Sequence, residues 1–490
     1  MAICSVLLFL TNSERGQANV QLATAHALLV DHADAAIEVH FASFPAIADA
    51  VARVSRQAQK KITFHPLDGP SFEEAAELRN VTINSIRHPP GLRGAAGLNW
   101  AMRRILVPWD GPDYVAVYES SRRIIEEVDP AVVVVDALLQ AGADAARALN
   151  RSYLFLAPNS LKDGFISRQP MSRGLWYYPA IASGFPYPVP WHLIPANIYL
   201  NLRLMWTVLF GREIRDTRSH LAAHGVASPL DFVHVCPDGI TWLASSSRRI
   251  EYPLDVPPNA VGCGPIYMAL EPLATQDPGL LAWLRRGPTV LIVLGSHTMY
   301  DARDAAEMVR AIRTVLAADE RVQVLWKFRP EDRDGDGSND AFLSDEIVSL
   351  RATGRVRIER WLTADPAALL ESGHIVCYVH HGGANSFSEA TGTGTPQVIL
   401  GVWCDTYDYA VRAEWLGVGI WGNRHAAPFW TGDEVARAVL TIISPGAEGE
   451  RYRQRARELA TPSRAQSGRV VAAREIRVYC QYIKSDNVIG

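Results

Sequence analysis

Short runs of uninterrupted apolar residues recur along both halves of this chain, with helical stretches between them. In the first half they are Val6–Leu10, Ile37–Ala42, Ile62–His65, Val132–Val135 and Tyr153–Leu156. In the second they are Val290–Leu294, Val322–Phe328, Arg355–Ile358, Ile375–Val379 and Val398–Val402. A strand with one wet face alternates polar and apolar side chains. A strand without that alternation is covered on both faces, as in a parallel sheet with helices above and below it. The intervening helices are amphipathic: in Ala302–Ala317 the apolar positions Ala305, Met308, Val309, Ile312, Val315 and Leu316 repeat at helical spacing. Strand and helix in alternation, twice over, predict an α/β chain of two doubly wound domains. A length of 490 residues and a hydrophobic content of 48% suit two such cores. The Pro-rich stretch Glu251–Pro258 predicts the junction, with one domain over 1–255, a second over 256–463 and a helical segment over 464–490.

Charge and cysteine usage exclude several classes. Net charge is −4 and no basic block stands out, which argues against a nucleic-acid partner. The six cysteines, Cys4, Cys236, Cys263, Cys377, Cys404 and Cys480, show no CxxC or metal-ligand spacing, so reduced thiols and a cytoplasmic setting are expected. The apolar first ten residues lack a basic start and run into Thr11–Arg15, which reads as a first strand rather than a signal peptide. No run of 18 apolar residues exists and Arg474–Gly490 is polar, so no transmembrane segment or C-terminal anchor is expected.

The segment Val379–Gln397, VHHGGANSFSEATGTGTPQ, carries the strongest chemical signal. An apolar strand runs into two histidines and two glycines, and a helix opens at Asn385 and Ser386. Such a turn presents unpaired backbone N–H groups to an anion. His381 stands at the strand end, Gly383 in the turn, and Glu389 one helical turn beyond Asn385. The set suits a phosphate with a sugar hydroxyl beside it.

Together with Trp361-Leu362 before it and Val402–Asp408 after it, this run resembles the donor-binding signature of the family-1 UDP-glycosyltransferases, most of all their fungal members. Leu8–Asn19, Val132–Asp136 and Ala260–Pro265 extend the resemblance over most of the chain. It implies a GT-B fold, two Rossmann-like domains facing across a cleft, with the last helical segment crossing back to the first. It implies a UDP-sugar as co-substrate, with no cofactor and no metal. The matching positions are Ser296, His381, Gly383, Asn385 and Ser386 at the phosphates, Glu389 at the ribose, Trp361 at the uracil and Asp405 at the sugar. Thr406 replaces the usual Gln after Asp405. A small lipophilic acceptor (phenol, polyketide, terpenoid or sterol) is implied, as is inverting transfer by a monomer or weak dimer. The rival readings are an epimerase or hydrolase on the same fold and a non-catalytic UDP-sugar-binding protein.

The catalytic base is open. Plant relatives use a His where this chain has Gln17, and a carboxamide cannot take a proton. Asp136 at the end of its strand is favoured, His65 is the alternative, and an acidic acceptor that needs little help is the third possibility. Between Leu175 and Phe210 aromatics and prolines crowd together, which suits either an ordinary helical core or an aglycone pocket. The loop Asp332–Gly337 begins like a calcium loop, but its twelfth position is Leu343, so a polar surface loop is expected.

Overall fold

The computed structural model describes residues 5–30, 37–227, 230, 236–268, 271–296, 298–331 and 345–489. Cys4 and the Asp332–Gly337 loop lie outside these. Among the described residues, strands form two parallel sheets, one of seven and one of six.

The first sheet contains β1 (Ser5–Leu10), β2 (Ile37–Ser43), β3 (Ile62–Pro66), β4 (Val132–Val135), β5 (Tyr153–Ala157), β6 (Trp242–Ala244) and β7 (Ala260–Gly262), in the order β3-β2-β1-β4-β5-β6-β7. The second contains β8 (Thr289–Val293), β9 (Gln323–Lys327), β10 (Val356–Glu359), β11 (Ile375–His380), β12 (Gln397–Ile399) and β13 (Gly419–Trp421), in the order β10-β9-β8-β11-β12-β13. Every strand pair is parallel. Both faces are covered, as the unbroken apolar runs require. In β1, Leu8 and Leu10 join one core layer while Leu7 and Phe9 join the other. The strand order reverses between β1 and β4 in one sheet and between β8 and β11 in the other. Those reversals open crevices at the carboxyl ends of the strands, where ligands of open α/β sheets bind.

Three differences from the sequence reading have physical causes. The expected boundary at 256 falls too early, because Ala260–Gly262 pairs with β6 and the first sheet therefore runs to Gly262. At three residues, β6, β7 and β13 are too short for an apolar run to register. The aromatic segment does not line the cleft. Tyr177, Tyr178 and Tyr187 pack on one another, and Tyr187 stacks on Tyr252 with ring centroids 4.3 Å apart. Asn197 holds this segment together: its amide oxygen accepts from Ala180 N, and its NH₂ donates to the carbonyls of Leu175 and Tyr178. Tyr178 and its neighbours thus form a small aromatic core, while Trp191, Tyr199, Trp206 and Phe210 of the same segment are exposed.

The stretch Trp191–Ala223 is long and apolar enough to cross a membrane by length and composition, the one such stretch among the described residues. It is two helices, Ile194–Phe210 and Arg212–Ala223, broken at Gly211. The second is charged, with Arg212, Glu213, Arg215, Asp216 and Arg218. Buried Asn197 fixes the first to the rest of its domain. The final helix, Gly468–Ile489, lies against the Arg15–Val30 helix, and its Ala472, Ala473 and Ile476 join the core of the first sheet.

Candidate active site

The carboxyl ends of the two sheets face each other across a cavity of about 790 Å³. Residues of both halves line it, and the two walls differ in chemistry. The wall of the second sheet reads in strand order. Trp361 follows β10, Lys327 ends β9 with Arg329 beyond it, Ser296 follows β8, His381 follows β11, and Asp405 lies beyond β12. The wall of the first sheet presents Phe72, Ala76, Val81, Ile86, Ile105 and Leu138, with Glu14 and Gln17 after β1.

The turn that presents His381 is built by its neighbour. Buried His380 takes Gly382 N–H at Nδ1 (3.1 Å) and faces Gln397 Oε1 from Nε2 (2.9 Å), which fixes the neutral tautomer with hydrogen on Nε2. Burial lowers its pKa to about 3, so it stays uncharged. The His381 ring then sits between two glycines. A Cβ at Gly383 would lie 2.6 Å from its Nε2, and one at Gly295 would lie 2.7 Å from its Cε1. Gly295 also has φ +83°, a region that disfavours other residues. Neither position has room for a side chain while the histidine keeps this place.

The helix Ala384–Thr393 starts beside His381 with no side-chain cap, so its first backbone N–H groups stay available. Ser386 accepts from the buried Tyr378 hydroxyl at 3.2 Å. Asn385 donates across the cleft to Arg15 O at 3.1 Å. Glu389 is buried, and burial with Asp365 nearby pushes its carboxyl up to about 8, with the Tyr378 side chain opposing. Asp405 is pushed up to about 7 by burial and by Asp163 and Asp408.

A cationic group also stands here that sequence reasoning missed. Lys327 Nζ lies 3.6 Å from the centroid of the Trp361 ring and donates to Gly295 O at 3.0 Å. Arg15 and Arg329 lie 5.3 and 5.7 Å from the same centroid. Burial, Arg329 and Arg15 together bring the Lys327 ammonium down to about 8. Its signal was a lysine ending an otherwise apolar strand of a parallel sheet, on the ligand side.

Three expected site residues are placed otherwise. Asp136 is fully buried and does not line the cavity. Its Oδ2 accepts from Thr11 Oγ1, Asn12 N and Asn12 Nδ2 (each 3.2 Å), and its Oδ1 from Leu138 N (2.9 Å). It ties the β1 and β4 loops together and cannot meet an acceptor hydroxyl. His65 also lies away from the cavity, stacked on His40 with the ring nitrogens 2.8 Å apart. Burial and His40 lower its pKa. Thr406 borders the cavity, but its hydroxyl is used within its own turn. It accepts from Val402 N and Trp403 N (3.1 Å each) and donates to Trp403 O. A hydroxyl has one proton and two lone pairs, so nothing remains for a sugar. Gln17 does line the cavity, and its amide oxygen is buried there with no protein partner.

The raised Glu389 carboxyl has a measurable consequence. The resemblance implies that Glu389 holds the ribose hydroxyls, and a carboxyl raised to about 8 would give up its proton to accept from both of them. UDP binding at pH 7 is therefore expected to release a proton and to tighten as pH rises toward 8. Lys327 works with the opposite sign but is mostly charged at pH 7. Calorimetry in buffers of different ionisation enthalpy checks this, and Glu389→Gln should abolish the release.

A family model described as "UDP-glucoronosyl and UDP-glucosyl transferase" matches residues 121–461. The chain is 37% identical over 478 residues to the glycosyltransferase sdnJ of Sordaria araneosa, covering 90% of this chain and 91% of that one. It is 28% identical over 211 residues to the UDP-glycosyltransferase stmC of Aspergillus ustus, covering 41% and 38%. A UDP-glucosyltransferase of Polygonum tinctorium that glucosylates indoxyl has the same fold, with a TM-score of 0.64 at 17% identity over 98% of this chain and 99% of that one. With the two facing parallel sheets, these matches show that the chain belongs to the UDP-glucuronosyl and UDP-glucosyl transferase family and has the GT-B fold.

Proposed function

We propose that this glycosyltransferase moves a sugar, glucose in the first instance, from UDP to a hydroxyl of a small lipophilic acceptor with inversion at the anomeric carbon. The observation that carries this reading is the contrast between the two walls of one cavity. The second-sheet wall offers, in strand order, an aromatic face, fixed cations, a histidine beside a helix start, and a carboxylate. That order suits uracil at Trp361, ribose at Glu389, diphosphate at Ser296, His381, Asn385 and Ser386, and sugar at Asp405. The first-sheet wall carries an apolar patch, Phe72, Ala76, Val81, Ile86, Ile105 and Leu138, that suits an aglycone, with polar side chains around it.

The acceptor oxygen attacks the anomeric carbon from the first-sheet side while UDP leaves toward the second. Negative charge grows on the departing diphosphate, where His381, the uncapped helix start and the cations Lys327, Arg329 and Arg15 are already in place. Preorganised charge of this kind stabilises the transition state without solvent reorganisation. Fixed cations supply what a divalent metal supplies elsewhere, so the reaction needs none. Cys236, Cys263, Cys377 and Cys404 are buried thiols outside any disulfide, which suits work in a reducing compartment such as the cytoplasm.

A second reading is favoured by one observation. With Gln17 at the usual base position and Asp136 sealed off, the chain could bind the donor without transferring it. Incubation with UDP-glucose and a panel of lipophilic alcohols and phenols, in EDTA and read by mass spectrometry, separates the two. Transfer to at least one acceptor, undiminished by EDTA, is expected. Donor binding without product would favour the binding protein, and activity restored by added manganese or magnesium would overturn the metal-free mechanism.

A further inference from the structure

We propose that Glu14 takes the proton from the acceptor hydroxyl, replacing the missing histidine with a carboxylate three residues earlier in the same loop. This rests on the transferase reading above.

The base must stand on the acceptor wall, opposite the sugar end of the donor site. The first half brings four carboxylates to the cavity: Glu14, Asp49, Glu73 and Glu77. Asp49, Glu73 and Glu77 are solvent-exposed, whereas Glu14 is half-buried. Asp49 also lies one turn before Arg53, which pairs with Asp365 at the nucleotide end (3.2 Å). Glu14 is held in place: its Oε1 accepts from Glu73 N at 2.9 Å, at the start of the Phe72–Leu78 helix.

The two sides of Glu14 locate it along the cleft. The helix that fixes its carboxylate contributes Ala76 to a small core cluster, with Val81, Ile86 and Ala101, that Trp403 packs against, and Trp403 and Asp405 both line the cavity. The next residue, Arg15, accepts from Asn385 through its carbonyl and lies over Trp361. Glu14 thus stands after β1 at the first-sheet crevice, on the cavity it shares with His381 and Asp405, next in sequence to a residue that touches the Asn385 side of the donor wall. Gln17, one helical turn on, offers its buried amide oxygen to the same space and can accept a hydrogen bond from the acceptor without taking its proton.

The step balances within the known reactants. The acceptor O–H proton passes to the Glu14 carboxylate as the oxygen bonds to the anomeric carbon. The bond from that carbon to the UDP oxygen breaks, and the electron pair leaves on the diphosphate. Glu14 then returns its proton to solvent.

The test compares Glu14→Gln, Glu14→Asp and Asp136→Asn with the wild type, using UDP-glucose and acceptors graded from an aliphatic alcohol to an acidic phenol. UDP affinity is measured in parallel. Transfer by the wild type decides the reading beneath this proposal; if it transfers to no acceptor, both fall. Given that transfer, Glu14→Gln is expected to lower kcat/KM about 10²–10⁴-fold for the alcohol. The loss should be much smaller for the phenol, UDP affinity should be unchanged, and the acidic limb of the pH profile should disappear. Glu14→Asp should restore part of the rate. Near-wild-type activity in Glu14→Gln would overturn the proposal. So would an equal loss on all acceptors with weakened UDP binding, or an acidity-graded loss that appears in Asp136→Asn instead.

Discussion

Arg412→Leu is expected to destabilise the fold by about 3–5 kcal/mol, the usual result of removing one partner from a buried ion pair. Arg412 Nη1 meets Glu251 Oε1 at 3.1 Å, with side chains 2% and 1% exposed. Glu251 lies in the Pro-rich stretch between β6 and β7 of the first domain, and Arg412 lies in the Cys404–Leu416 helix of the second, so the pair joins the halves. The same carboxylate accepts from Leu161 N at 3.0 Å and Ser246 Oγ at 2.6 Å. Burial already pushes the Glu251 carboxyl up, and Arg412 is the main group opposing that. Without Arg412, Glu251 takes up a proton or stays charged with no countercharge, and either is costly. The double variant Arg412→Leu/Glu251→Gln should recover part of the loss, since the unpaired charge is gone. Thermal unfolding of the three variants measures this, and a cost below about 1 kcal/mol would contradict it.

His381→Ala should leave the fold intact and lower turnover about 10²–10³-fold, the usual effect of removing one preorganised donor from developing charge. UDP affinity should weaken by about 1.5–3 kcal/mol, as for a lost hydrogen bond to a charged group. The ring fills a gap between Gly295 and Gly383 rather than a core layer, so unfolding should shift little. Steady-state kinetics with UDP calorimetry checks both. Unchanged UDP affinity would remove His381 from the phosphate site.

The fold could be read from the sequence because buried parallel strands must be apolar on both faces, and Val132–Val135 or Ile375–Val379 can be little else. That the segment His381–Glu389 would line a cavity was legible for a related reason. A strand end, glycines and a helix start are contiguous there, and the structure brings His381, Gly383, Asn385, Ser386 and Glu389 to one cavity wall. What could not be read depends on where lone pairs go. Asp136 and Thr406 have the right side chains beside the right motifs, but Asn12, Thr11, Leu138, Val402 and Trp403 occupy their oxygens. Lys327 ends β9 and Trp361 follows β10, 34 residues later in the sequence, and only the pairing of these neighbouring strands brings them together.

The most direct test of the account is the balance between UDP released and glycoside formed, with and without a lipophilic acceptor, and with the anomeric configuration of the product read by NMR. UDP-glucose alone should release UDP slowly. With acceptor present, release should rise strongly and be matched one to one by a glycoside of inverted configuration. UDP release that ignores the acceptor, or a product of retained configuration, would contradict it.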